Sequence, residues 1–146
     1  MEISFYHTAS GHLVSSLVRI LEKIYVSGQR CLFCSPSEER VKAVDKALWT
    51  FSTNAFIPHG DKDFGFCDQQ PIYLTSVGEN PNGAVVQVLV DAFDYKSYGE
   101  NFERIFFVFE DLSQAERAEM LYADLKNNSK NVNYWRQSTK GWEKVV

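Results

Sequence analysis

The chain has 146 residues, 45% of them hydrophobic and 14% aromatic, which suits one packed domain and excludes a disordered chain. A net charge of −4 argues against a strong grip on a nucleic-acid backbone, because phosphate contacts need clustered Lys and Arg. No apolar run approaches the length of a membrane span, and the opening residues lack the pattern of a secretory leader.

Ile3–His7 reads as a short strand and Thr8–Gly11 as the loop after it. Leu13, Leu17, Ile20, Leu21 and Ile24 then recur at helical spacing, with Gly28 placed to end the helix. Cys31–Cys34 is a second apolar strand. In Ser35-Pro36-Ser37-Glu38, Ser35 is expected as N-cap, Pro36 as first helical residue and Glu38 as the acid reaching back. Val41, Val44 and Leu48 give that helix its buried stripe.

The β-α-β-α order to this point favours a parallel sheet. Trp49 to Gly65 is irregular, aromatic at first and polar later. Pro71–Ser76 and Ala84–Asp91 read as strands, and the short Gly78–Gly83 turn between them predicts an antiparallel pair. A poorly patterned crossover, Ala92–Glu103, leads to the buried-strand run Arg104–Phe109. Ser113-x-x-Glu116 is a capping box for a helix carrying Ala118, Leu121, Tyr122 and Leu125. Asn131–Gln137 is a last strand, followed by a tail ending in Trp142. The expected architecture is one α/β domain over residues 1–146, a mixed, mostly parallel sheet flanked by helices.

Motifs that could carry chemistry are thin. Cys31-Leu32-Phe33-Cys34 has CxxC spacing, but in a strand the two thiols point to opposite faces, and no second pair completes a zinc site. Buried structural cysteines are the expectation. Three cysteines, an odd number, also fit a reducing, cytoplasmic setting better than a disulfide framework. The Thr8–Gly11 loop lies where phosphates bind in nucleotide folds, yet it has one glycine and no P-loop lysine. A small nucleotide-binding enzyme using that loop is the alternative reading. The strand ending in Glu110-Asp111 looks like a Walker B element without its phosphate loop. His7, His12 and His59 suggest no catalytic order, so no catalytic residue, cofactor or metal is expected.

The aromatic cluster from Trp49 to His59 is more informative. Large aromatics at and beyond a helix end either complete a core or form an exposed anchor patch. The run Asp45-Lys46-Ala47-Leu48-Trp49, followed by Phe56-Ile57-Pro58-His59, resembles the signature of the chi subunit family of bacterial DNA polymerase III. Phe5-Tyr6, Gly28-x-Arg30 and Tyr134-Trp135-Arg136-Gln137 are supporting marks, and element order agrees along nearly the whole chain.

The resemblance implies a Rossmann-like, three-layer fold without nucleotide binding or turnover. It implies an adaptor in DNA replication with two partners and little direct nucleic-acid contact. One partner is a small psi-like subunit that tethers the protein to the clamp loader, with Trp49, Phe56, Pro58 and His59 as the docking face. The other is the acidic C-terminal tail of single-stranded-DNA-binding protein, with Val108 and Tyr122 in the apolar and aromatic roles of its site. Glu119 and Ala123 stand where relatives carry basic residues, so Arg117 and Lys126, or Lys130 and Arg136, are candidates to supply the charge.

Overall fold

The computed structural model of the chain describes residues 2–50, 57–76, 79–92, 102–110, 112–128 and 131–145. In chain order the elements are β1 (Glu2–His7), α1 (Leu13–Val26), β2 (Cys31–Cys34), α2 (Glu38–Thr50), β3 (Gly60–Asp61), β4 (Ile72–Thr75), β5 (Val86–Val90), β6 (Arg104–Phe109), α3 (Leu112–Asn127), β7 (Asn131–Ser138) and β8 (Gly141–Lys144). The strands form one sheet in the order β3-β4-β2-β5-β6-β1-β7-β8. Every described pairing is parallel except β7 with β8.

Strand alternation divides the apolar side chains between two cores, one on each face of the sheet. On one face α1 and α2 cover Cys31, Phe33, Val86, Val88, Phe106 and Val108. On the other, Ile3, Phe5, Leu32, Cys34, Phe107 and Phe109 share a core with Ala115, Ala118 and Leu125 of α3. The result is a three-layer α/β fold. The stripe Leu13, Leu17, Ile20, Leu21 and Ile24 is buried as its spacing predicts. Gly28, at φ +83°, ends α1 by donating its N–H to the Tyr25 carbonyl.

Three expectations are corrected. The N-cap of α2 is Ser37, not Ser35: the Ser37 carbonyl accepts from Val41 N–H, and its Oγ accepts from Arg40 N–H at 3.2 Å. Ser35 instead donates its hydroxyl to Asp91.

Strands β4 and β5 are not an antiparallel pair. Both run parallel to β2 and lie on either side of it. A chain reaching up to ~3.5 Å per residue returns along a four-residue strand without a helix. Both strands are buried along their whole length, the pattern of a parallel sheet interior. Buried Asn82 fixes the arrangement by donating to the carbonyls of Cys31 and Gln70.

The expected tail is also structured. Residues Gly141–Lys144 turn back as β8 against β7, with Ser138 opposite Gly141. Gly141 has φ +110°, which a side chain would strain. The Ser113–Glu116 capping box cannot be placed in full, because the Ser113 side chain lies outside the described residues.

Candidate functional site

The Thr8–Gly11 loop is closed to phosphate by the protein's own side chains. Gly11 N–H donates to Glu110 Oε2 at 3.0 Å, and Ala9 N–H donates to Gln137 Oε1 at 2.9 Å. The donors that would cradle an anion are occupied, and one of their partners is itself an anion. Glu110, the acid at the end of the Walker-like strand, is spent on this turn; Asp111 lies outside the described residues. The carboxyl ends of β2 and β5, a usual ligand crevice in open α/β sheets, are also bridged. Asp91, just past β5, accepts from Ser35 Oγ at 3.0 Å and from Arg40 Nε at 3.1 Å.

The two cysteines of β2 sit in opposite cores, as strand geometry requires. Burial pushes both thiols up, Cys34 to about 11, so neither is a ready nucleophile.

The aromatic segment builds a defined surface. Leu48 and Ile57 are buried together and anchor the end of α2 to the chain leading into β3. His59 is buried between them and solvent: its Nδ1 lies 2.7 Å from the Ile57 carbonyl, and Nε2 lies 3.1 Å from Asp45 Oδ1. The Trp49 ring packs edge-on against the His59 ring, with centroids 5.0 Å apart. Trp49 is nevertheless 48% exposed, and Phe64, with its ring centroid 6.5 Å away, is 54% exposed. Asp45, Trp49, Pro58 and His59 are thus gathered in one place, with His59 as the buried support and Trp49 as the exposed anchor. Phe56 lies outside the described residues.

Sequence reasoning missed Phe64, which sits in a polar loop. The loop is held by Asp61: its Oδ1 accepts the N–H groups of Asp63 and Phe64, and its Oδ2 receives Lys42 Nζ at 2.8 Å. Burial raises the Asp61 carboxyl, but Lys42 and the two backbone donors outweigh it and hold the pKa below its ordinary value. The signal available in the sequence was Asp61 two and three residues before its backbone donors, an Asx-turn pattern.

The tail-site candidates do not form one pocket. Val108 is buried among Val88, Val90 and Phe106 on the α1/α2 side, while Tyr122 packs on the α3 side against Phe5 and Tyr134. Alternation along β6 makes this unavoidable: Phe107 and Phe109 face α3, Phe106 and Val108 face away. Arg117 and Lys126 are both exposed on α3, but nine positions, about two and a half turns, put them on opposite sides of the helix. Lys126 does join Tyr122: its Nζ donates to the phenol oxygen at 3.1 Å and sits 5.4 Å from the ring centroid.

Arg136 belongs to the same side. Burial, then the Arg136 charge, holds His7 below its ordinary pKa, and burial, then Glu119, raises Tyr134. Tyr122 with Lys126 on α3, and Tyr134 with Arg136 on β7, thus lie on the same side of the sheet, joined by the Tyr122–Tyr134 ring contact, and Lys130 lies outside the described residues.

Among the described residues, no helix is long and apolar enough to cross a membrane, and no group of three His, Cys, Asp or Glu side chains is arranged to hold a metal. The model of the family described as DNA polymerase III chi subunit, HolC, matches residues 1–132. A similar protein is the "Probable DNA polymerase III subunit chi" of Rickettsia prowazekii (strain Madrid E), 28% identical over 152 aligned positions that cover 99% of this chain and 92% of the relative. With an α/β fold, the signature residues Asp45, Trp49 and His59 in contact and a family match over most of its length, the chain belongs to the DNA polymerase III chi subunit family, accessory subunits of the replicative polymerase.

Proposed function

We propose that the protein is a non-catalytic adaptor of DNA replication, docking a psi-like clamp-loader subunit on one surface and the tail of single-stranded-DNA-binding protein on another. The observation that carries this reading is the Trp49–Phe64 pair, two half-exposed aromatic rings on a buried His59 support. Aromatic anchors held in place before binding cost little entropy to dock and are frequent hot spots. Pro58, next to His59 in the chain, belongs to the face that the family resemblance implies for the psi-like partner, as does Phe56, which lies outside the described residues.

The second surface is centred on Tyr122, Lys126 and Arg136, with Val108 left as a core residue. An aromatic ring flanked by two cations suits an acidic tail that ends in apolar residues. The two surfaces are on different elements, α2 with its following loop and α3 with β7, so both partners can be held together.

The test is isothermal titration of the protein with the tail peptide of its own organism's single-stranded-DNA-binding protein, alone and with the clamp-loader-side partner already bound. Saturable, salt-weakened binding of the same strength in both states is the expected result. Mutual exclusion of the two partners, or no binding of either, overturns the adaptor reading.

A further inference from the structure

Among the described residues, the helices leave part of the α1/α2 face of the sheet uncovered. Beyond α1 the strands β6, β1, β7 and β8 leave a cavity of about 290 Å³ floored by Tyr6 and Phe106 and walled by Trp135 and Trp142. Tyr6 and Trp135 are neighbours across the parallel strands β1 and β7, with rings 12° from parallel. Trp142, on β8, stands edge-on to Tyr6 with centroids 5.0 Å apart. The opposite wall is α1, which contributes Ile20, Ile24 and Lys23.

The cavity continues along α1 into a second one that shares Ile20, Lys23 and Trp142 and reaches Arg19, Ser15 and His12. The groove thus has a floor of planar rings and a row of cations. Arg19 and Lys23 lie one turn apart on the same helix face. Arg104 stands at one end, its guanidinium 4.8 Å from the Phe106 ring centroid, and Lys144 sits 6.0 Å from the Trp135 ring centroid. Among the described residues neither Arg19 nor Lys23 is in an ion pair, whereas Arg104 is only loosely paired with Glu2 at 3.9 Å. Glu22 is the acid that lines the groove.

We propose that this groove takes a short stretch of single-stranded nucleic acid, with bases against the Tyr6–Trp135–Trp142 rings and phosphates along Arg19, Lys23 and Arg104. Clustered planar rings beside a line of positive charge are the elements by which proteins hold unpaired strands without reading sequence. Charge complementarity decides the occupant. Cations spaced along a helix match the repeating phosphates of a strand, whereas a single carboxylate end would need only one of them. The overall charge of −4 makes the contact weak, local and strongly salt-dependent rather than a general grip on DNA. The groove is separate from the tail surface above, since its rings face α1 whereas Tyr122 and Tyr134 pack on the α3 side of the sheet.

The chain has three tryptophans, so a Trp49→Phe background leaves fluorescence to Trp135 and Trp142 alone. That protein is titrated at low ionic strength with an oligodeoxythymidylate of roughly ten nucleotides, a length within one domain's reach. Saturable quenching that added salt reverses is the expected result. The double variant Arg19→Ala/Lys23→Ala, both positions on the helix surface, should weaken binding by about tenfold with an unchanged circular dichroism spectrum. The proposal fails if no quenching occurs, or if the double variant binds as well as its parent. It fails equally if thymidine monophosphate binds as tightly as the oligomer, or if an acidic peptide quenches where the oligomer does not.

Discussion

Asp45 Oδ1 lies 3.1 Å from Nε2 of His59, on the far side of the imidazole from the Ile57 carbonyl that Nδ1 contacts at 2.7 Å. One ring therefore ties the last turns of α2 to the chain entering β3, and the Trp49 indole rests on that ring. Asp45→Ala removes the carboxylate beside a buried imidazole nitrogen that makes no well-aligned hydrogen bond. A loss of about 1 kcal/mol is expected, read as a lower urea midpoint with an unchanged slope. An unaltered midpoint would mean that the pair does not brace the docking face.

Trp49→Ala should act differently, because the ring is half exposed and its removal opens no core cavity. The urea midpoint should stay near that of the parent, while affinity for the clamp-loader-side partner falls by on the order of 2 kcal/mol or more. Phe64→Ala should follow the same pattern with a smaller effect. Titration calorimetry against that partner, beside circular dichroism of each variant, checks both. If Trp49→Ala unfolds the protein, the ring is structural and the docking face lies elsewhere.

The thiols give a test of the core. Burial raises Cys31 and Cys34, the latter to about 11, while Cys67 is only partly buried. The native protein should release one equivalent of chromophore from a disulfide reagent at neutral pH, from Cys67, and three in denaturant. The sign for stability follows. The folded thiols keep their protons after the unfolded ones lose theirs at pH about 8.5, so stability is full below that pH and declines as pH rises through it.

Much of this organisation is legible in the residues themselves. The stripes of α1 and α2, the opposed cysteines of β2 and the buried run of β6 follow from periodicities that burial enforces locally. The position of β4 beside β2 does not, because it depends on Asn82 bridging carbonyls of two distant segments. The Trp49–His59 signature is visible as a motif, but its logic is not: Asp45 reads as a solvated helix acid until His59 is seen against it. That Val108 and Tyr122 lie on opposite faces of the sheet is hidden for a different reason. The neighbours of Val108 on both sides are equally apolar, so nothing in the run Ile105–Phe109 says which parity faces α3.

The Asp61 turn links pH to the loop that carries Phe64. Its depressed carboxyl contributes stability that is fully present above the ordinary Asp value of about 3.9 and is lost as pH falls through the lower folded value. Asp61→Asn keeps a turn acceptor but discards one of the two charges that hold Lys42, the other being Asp63. The variant should show a flatter acid limb in urea midpoints measured between neutral pH and pH about 3. It should also lose partner affinity, because Phe64 is positioned by that turn. Parallel acid limbs for parent and variant would show that the Asp61–Lys42 pair carries no part of the acid sensitivity.

Glu119 sets the final prediction. Its charge reaches Tyr134 and His7, the same groups that feel Arg136, so it stands inside the surface assigned to the acidic tail. On the proposed reading, a carboxylate there repels the tail and offsets part of the attraction from Lys126 and Arg136. Glu119→Lys reverses that sign at an exposed helix position, where the fold has little stake. Tail affinity should rise by about tenfold, or ~1.4 kcal/mol, with the gain shrinking as salt screens it. Lys126→Ala should lower affinity, whereas Arg117→Ala, half a helix turn away from Tyr122 and Lys126, should leave it unchanged. Titration of the tail peptide against the three variants orders them, and any gain or loss confined to Arg117→Ala would move the tail to the opposite side of α3.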